Sequence, residues 1–417
     1  MPETKKKLVN RRNFLDIFAK VTALGSLSLS PLSVLANKGD RMLPGSEDEH
    51  CFLTQPYLQA LNANQISIRW ITGKPSYSWV EYGEGGVMNK KIHAVTDGLV
   101  DANNRVNEVV IEGLVPGRQY QYRVVSKEIV EFQPYKLTYG ETINTPAYSF
   151  STINPAANEV RWLVLNDIHD RPKSYAELLK LNKEEPYDYV FLNGDMFDYQ
   201  TDEKQIIDHL LTPCTACFAS VKPMLFVRGN HETRGKFARN LKDYFTNPGG
   251  QYFSYKWGPV FAIALDTGED KEDDHPVYAG IVDFDTYREQ QALWLEKQMQ
   301  TDAYKKAKYR VVMMHILPFY SGDWHGSTHV RKLFSPLFDK YKVDMVISGH
   351  THKYGIHPPV SGTHNYPIII GGGPTEGKRT LIKVKADAKS LQLRMLRDDA
   401  TEIGNYDVAA RMIDDPK

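Results

Sequence analysis

Met224-Leu225-Phe226-Val227-Arg228-Gly229-Asn230-His231-Glu232 is the stretch from which the fold can be read. Four consecutive apolar residues, without helical or alternating spacing, run into a glycine and then into Asn, His and Glu. A strand that is apolar on both faces belongs inside a sheet covered on both sides. The same arrangement returns four times. Run 162–165 leads to Asn166-Asp167-Ile168-His169-Asp170, and run 189–192 to Asn193-Gly194-Asp195. Run 311–314 leads to His315, and run 345–348 to Gly349-His350-Thr351-His352. Helical patterns such as 289–299 lie between these runs, and 261–265, 366–370 and 378–385 read as further strands. Short apolar strands alternating with amphipathic helices are the α/β signature.

Ligands of α/β folds sit in the crevice outside the carboxyl ends of the strands. Five polar clusters at equivalent places would be costly to bury without a shared purpose. Metal coordination supplies one, since Asp offers a hard anionic oxygen, Asn a carbonyl oxygen and neutral His a nitrogen. The D-x-H and H-x-H spacings put alternate side chains on one side of an extended backbone, so both can face one cavity. Gly194, Gly229 and Gly349 allow sharp turns and close backbone approach just past the strands. A carboxylate with one oxygen on each of two cations ~3.5–4 Å apart screens their repulsion.

Taken in order, D-x-H, G-D, G-N-H-E, a lone His and G-H-x-H resemble the calcineurin-like metallophosphoesterase superfamily, over residues 158–397. The resemblance implies a four-layer α/β/β/α sandwich and an enzyme that hydrolyses phosphate esters with a hydroxide made between two metal ions. It implies that Asp167, His169 and His352 hold one ion, that Asn230, His315 and His350 hold the other, and that Asp195 bridges them. His231 would bind no metal and would act on the phosphate or the leaving group. The ions could be Mn, Zn, Fe or a mixture, because the ligand types alone do not choose. The partner implied is a phosphorylated small molecule. A phosphomonoesterase leads, and a phosphodiesterase or nucleotidase is the alternative. A non-catalytic surface-binding or scaffolding protein is the reading from another class, and the intact ligand set argues against it.

Upstream, 52–152 shows short strands with turns between them. Gln65-Ile66-Ser67-Ile68-Arg69-Trp70 and Gln119-Tyr120-Gln121-Tyr122-Arg123-Val124 alternate with period two, and Asp97-Gly98 and Pro116-Gly117 mark turns. The string from Gly113 to Tyr120 resembles the fibronectin type III corner, in which a Tyr bonds back to the preceding connection. Such a β-sandwich before this core is similar to the purple acid phosphatase arrangement. Two positions depart from it. That subfamily has Gly where His169 stands, and a metal-binding Tyr where this chain has Asp198. The departures imply that no iron–tyrosinate colour is present.

Residues 1–36 read as an export signal. Lys5 to Lys7 and Arg11-Arg12 precede an apolar stretch from 21 to 36 that ends in Val34-Leu35-Ala36, and Arg-Arg-Asn-Phe-Leu (11–15) resembles a twin-arginine signal. The protein is therefore expected outside the cytoplasm, periplasmic or extracellular, touching a membrane only through an uncleaved signal. Residues 37–51 read as a linker and 398–417 as a C-terminal tail. Lys+Arg and Asp+Glu balance at 51 each in 417 residues, and losing the six Lys/Arg and two Asp/Glu of 1–36 moves the net charge from 0 to −4. Neither value supports a nucleic-acid groove.

Lesser candidates have bland readings. Asp198 and Asp170 suit partners of a metal-bound His, or a cap. Asn166 suits backbone pairing, and Arg228 and Arg234 suit surface ion pairs. His325 and His329 fall in a Gly/Ser/Trp-rich loop whose Tyr320 and Trp324 could stack on an organic group. Gly371-Gly372-Gly373 reads as a turn, since the Lys-Ser/Thr ending of a phosphate loop is missing. Cys214 and Cys217, on an amphipathic helical pattern, read as thiols or a local disulfide.

Overall fold

The structure, a computed structural model, describes residues 49–412. The export segment expected at 1–36, nearly all of the 37–51 linker and the end of the tail lie outside them. Two six-stranded sheets form the second half of the chain. The first runs Met224–Val227, Tyr189–Asn193, Val160–Leu165, Thr380–Ala386, Ser390–Arg397, Glu402–Ala409. Its first three strands are parallel and the rest antiparallel. The second runs Phe253–Trp257, Val260–Leu265, Tyr309–Met314, Met345–Ser348, Ile368–Ile370, Gly355–His357, with the middle four parallel.

Period-two alternation sorts the side chains into layers. Trp162, Val164 and Phe191 of the first sheet meet Ala262, Val311 and Met345 of the second in a core between the sheets. Leu163, Leu165 and Leu192 point the other way and pack beneath Leu178, Leu210 and Phe218 of the helical layer. Ile263, Val312 and Val346 do the same beneath Leu295, Phe334 and Phe338. The result is four layers, helix–sheet–sheet–helix. Each large apolar side chain buried in this way contributes about 1.5–3 kcal/mol, which is why both faces of these strands are apolar.

The β-sandwich is built on one long strand, Gln65–Gly83. Its first half pairs with Tyr57–Asn62 and Ala102–Ile111, and its second half with Gln119–Gln133. Trp70, Val80, Tyr122 and Phe150 fill its core. The expected corner is present, with the Val115 N–H donating to the Tyr120 hydroxyl at 3.0 Å. The sandwich packs on the outer helical layer of the first sheet. Tyr57 and Ile71 join the apolar cluster there, Tyr122 Oη donates to the Ser220 carbonyl at 2.8 Å, and Arg69 Nη1 donates to the Asp243 carbonyl at 2.6 Å.

Three expectations need correction. The 398–417 tail contains an edge strand, Glu402–Ala409, whose Ile403, Tyr406 and Val408 cover the inter-sheet core. A bulge at Gly404 and Glu402 opposite Met395 and Leu396 breaks the alternation that would have revealed it. The loop expected around His325 is instead the start of a helix, His325–Lys340. The end of the linker is not loose, since the Cys51 carbonyl accepts from the Gly73 N–H at 2.9 Å. Cys214 and Cys217 lie in the helical segment 203–219 as unbridged thiols, the first buried and the second exposed.

Candidate metal centre

Three parallel strands of the first sheet and two of the second end at one crevice, and the five clusters meet there. Asp167, His169, Asp195 and His352 present ligand atoms that all lie within 4.8 Å of one another, and so do Asp195, His315 and His350. Asp195 is the member common to both groups. Asn230 joins the second group, its Oδ1 3.1 Å from His350 Nδ1. All seven expected ligands are thus brought together, and none comes from the β-sandwich.

The backbone route differs from the expected extended alternation. Asp167, His169, Asp195, His350 and His352 all have left-handed φ, from 50° to 73°. Hydrogen bonds within the chain hold these turns. The Asp167 N–H donates to the Gly194 carbonyl and the His169 N–H to the Asp195 carbonyl, both at 3.0 Å. The His350 N–H donates to Asp167 Oδ2 at 3.0 Å and the His231 N–H to Asp195 Oδ1 at 2.9 Å. The glycines are there for space. A Cβ on Gly194 would stand 2.5 Å from His315 Nδ1, and one on Gly229 would stand 2.6 Å from Asp195 N.

Electrostatics favour cations. Asp167 and Asp195 are 1% exposed. Burial alone would raise the Asp167 carboxyl, but the His315, His169 and His352 imidazoles hold it well below the usual range. Asp195 behaves likewise and sits at about 2, with His315 Nε2 2.9 Å from its Oδ2. His315 is pushed up to about 10, because Asp195 and Asp167 outweigh the effect of burial. His350 is held down to about 4 by burial and by His315. Asp167 Oδ1 and His315 Nε2 are buried and make no hydrogen bond of good geometry, their near neighbours being the ring nitrogens and carboxylate oxygens of this same cluster. Orphaned buried acceptors and nitrogens facing one crevice are costly by themselves, and a pair of cations satisfies them with hard-oxygen and imidazole donors. The residues fit the two metal ions that a metallophosphoesterase centre carries.

The surrounding residues orient the inner ones. His169 Nδ1 is 2.9 Å from Asp198 Oδ1, the orienting role expected for Asp198. Asp170 accepts from the Asp198 N–H at 2.8 Å and lies 2.7 Å from His209 Nδ1. Asn166 does more than satisfy backbone, for its Nδ2 donates to Asp167 Oδ2 at 2.5 Å and to the Gly372 carbonyl at 2.8 Å. Gly371 is the glycine against which Asn166 packs, so the glycine run is a turn that closes this side. Glu232 was present in the motif without a role. It is fully buried and accepts from the Met196 N–H (2.6 Å), Gly229 N–H (2.7 Å), Asp195 N–H (2.8 Å) and Phe197 N–H (3.3 Å), tying two ligand-bearing turns together.

His231 lies beside this cluster, its ring 4.6 Å from that of His169. Its Nδ1 is 2.6 Å from the Asp198 carbonyl, and Arg234 Nη1 is 3.1 Å from its Nε2. Burial, and then Arg234 against the pull of Asp195, hold it below the usual histidine range. Arg234 is itself gripped by buried Glu269, at 2.7 and 2.9 Å, and Arg228 by buried Asp266 at 2.7 Å. Neither arginine is the surface ion pair expected of it. His325 and His329 pair with Asp285 instead of joining the ligands. Tyr320 and Trp324 are exposed enough to meet a ligand, and Tyr320 stacks on His357 at 3.9 Å.

The chain is similar to known proteins over both of its halves. Residues 160–354 match the Calcineurin-like phosphoesterase family and 54–152 the Purple acid Phosphatase, N-terminal domain. Probable purple acid phosphatase 20 of Arabidopsis thaliana is 24% identical over 339 residues, 75% of this chain and 70% of that protein. Fe(3+)-Zn(2+) purple acid phosphatase 12 of the same plant is 40% identical over 109 residues, 21% of this chain and 23% of that protein. Among solved structures, the yellow lupin (Lupinus luteus) purple acid phosphatase PPD1 superposes with a TM-score of 0.64 at 15% identity, covering 85% of this chain and 74% of that one. PhoD superposes at 0.61 and 12% identity, covering 87% and 90%. At such identities the likeness is one of fold.

Proposed function

We infer that this chain, a metallophosphoesterase that joins a purple acid phosphatase N-terminal domain to a calcineurin-like phosphoesterase domain, hydrolyses phosphate monoesters of small molecules outside the cytoplasm. The observation that carries the reading is the place of Asp195 in both donor groups, with the other expected ligands divided between them. Asp167, His169 and His352 would hold one ion, Asn230, His315 and His350 the other, and Asp195 is the residue placed to serve both. When bound, such a pair lowers the pKa of water toward neutrality, and it offsets charge that develops on a phosphoryl group.

The chain's own residues do the rest. Asp198 fixes the His169 ring, and the bond from His231 Nδ1 to the Asp198 carbonyl leaves Nε2 for the substrate. There it meets the phosphate or the leaving-group oxygen, in company with the Arg234 N–H that now approaches it. A general acid at this position is typically worth ~10²–10⁴-fold, a role open to His231 only in its protonated form, against which burial and Arg234 act. With Asp198 where purple enzymes have a Tyr, and neighbouring Tyr199 largely exposed, this reading includes no tyrosinate–iron centre. Export rests on the twin-arginine-like string at 11–15. Among the described residues no helix is long and apolar enough to cross a membrane.

The test is turnover of para-nitrophenyl phosphate against bis-para-nitrophenyl phosphate, by protein reloaded with Mn²⁺, Zn²⁺ or Fe, beside elemental analysis. Monoester turnover that disappears in Asp195→Asn, together with metal loss, is expected. Preference for the diester would move the reading to a phosphodiesterase. No turnover of either by a folded, metal-loaded protein would defeat it.

A further inference from the structure

The helix His325–Lys340 opens with two histidines four residues apart, which places both on one face of its first turns. Asp285, in the first turn of the helix Phe284–Met299, faces them. His325 Nε2 lies 2.8 Å from Asp285 Oδ1 and 2.9 Å from Oδ2, and His329 Nδ1 lies 3.0 Å from Oδ1. The three residues present ligand atoms that all fall within 4.8 Å of one another. None of them belongs to the centre described above.

His329 marks the cluster as more than a pair of surface contacts. Its side chain is 10% exposed, and its Nδ1 is buried without a hydrogen bond although Asp285 Oδ1 stands 3.0 Å away. A buried nitrogen aimed at a carboxylate but not bonded to it suits two ligands of one cation. We propose that Asp285, His325 and His329 form a separate divalent-cation site of the zinc class. The site pins the start of helix His325–Lys340 to helix Phe284–Met299.

The donor chemistry agrees. Two imidazoles and one carboxylate are a common zinc set, with a water left in the fourth position. Bonds of ~2.0–2.1 Å to one tetrahedral ion place donors about 3.3 Å apart, a few tenths of an ångström wider than the spacings to Asp285. His329 is held below the usual histidine range by burial, and then by Arg288 and His325 against Asp285, so it offers a lone pair. Arg288 is the competing charge, with Nη1 2.9 Å from Asp285 Oδ1. It is anchored elsewhere by the Thr267 carbonyl at 2.9 Å and by the Glu269 carbonyl, so Asp285 Oδ2, which among the described residues bonds to His325, remains the open side. Nearby Glu289 adds negative charge. The structural consequence falls on 316–324, the segment from the His315 cluster to Trp324, which the cation anchors at its far end.

The proposal does not depend on the phosphatase reading, and the test keeps them apart. Full-length protein is stripped with a chelator, reloaded with Zn²⁺ at neutral pH, desalted, and its zinc counted beside its melting temperature. Wild type is expected to keep three equivalents, and His329→Ala and Asp285→Asn two. The doubly substituted Asp167→Asn, Asp195→Asn protein is expected to keep one, together with a zinc-dependent rise in melting temperature. His329→Gln, closer in size to histidine, serves if the Ala variant does not fold. Equal zinc in wild type and His329 variants, or a third equivalent that washes off on desalting, overturns the proposal.

Discussion

Gly229→Ala tests how tightly the centre is built. The added Cβ would stand 2.6 Å from Asp195 N, 2.8 Å from His315 Cδ2, and closer still to Asp195 Oδ1. Ordinary Cβ contacts begin at 3.4 Å, so these groups must move by about 1 Å, and all three belong to the expected ligands Asp195 and His315. Packing strain of this kind typically costs about 1–3 kcal/mol of stability, which a domain with this much buried core tolerates. Function has no such margin, since a ~1 Å misplacement can cost about 100-fold in rate. The expected result is a folded protein with fewer than two retained ions at the centre and kcat/KM lowered by about 100-fold or more. Gly249→Ala is the control, because its nearest neighbour, the Tyr252 carbonyl, would be at 3.4 Å. Circular dichroism, elemental analysis and para-nitrophenyl phosphate kinetics on both variants read the outcome. A Gly229→Ala enzyme with wild-type metal content and rate would refute the reasoning that close packing positions Asp195 and His315.

Glu232→Ala removes one carboxylate that serves four backbone N–H groups. Each unpaired buried donor costs about 1–3 kcal/mol, offset in part by removing a buried charge, so urea unfolding should report a loss of roughly 3–5 kcal/mol; less than about 1 would dismiss the clamp. Asp198→Ala frees the His169 ring, and chelator competition should show metal affinity lower by about 10–100-fold; unchanged affinity would leave Asp198 without that role. In the metal-free protein His315 keeps its proton up to about pH 10, because the two carboxylates outweigh burial. A metal ligand must be neutral, so loading at pH 8 should release about one proton from this residue, read from binding enthalpies in buffers of different ionisation heat. No buffer dependence would contradict it.

What the sequence revealed, it revealed through local pattern. Strand runs such as 224–227 were apolar on both faces because the two sheets bury both, and each cluster followed its strand directly, so Asp167, Asp195, Asn230, His315 and His350 could be named without coordinates. Partnerships across the chain carried no such signal. Glu232 meets Asp195, Met196 and Phe197 across more than thirty residues, and Arg234 meets Glu269 across 35. The start of the helix at His325 was hidden by Gly326, Ser327 and Thr328, poor helix formers that tertiary packing overrides. The left-handed turns at Asp167 and His169 were invisible because D-x-H reads equally well as extended chain.

Those turns also say when the site forms. Five expected ligands with φ between 50° and 73° would each cost of order 1–3 kcal/mol if nothing held them. The bonds that hold four of them are made by the chain: Asp167 to Gly194, His169 to Asp195, His350 to Asp167, and the Glu232 clamp on Asp195. The strain is therefore borne by the fold before any cation arrives, and the free energy of cation binding is not needed to build the crevice. This is the opposite of a small zinc module, which is unfolded without its metal. Chelator-stripped protein should accordingly keep its circular dichroism and a cooperative melt, at a lower midpoint that rises again on reloading. A stripped protein that loses its cooperative transition would mean that the cations, and not the Glu232 clamp, shape the centre.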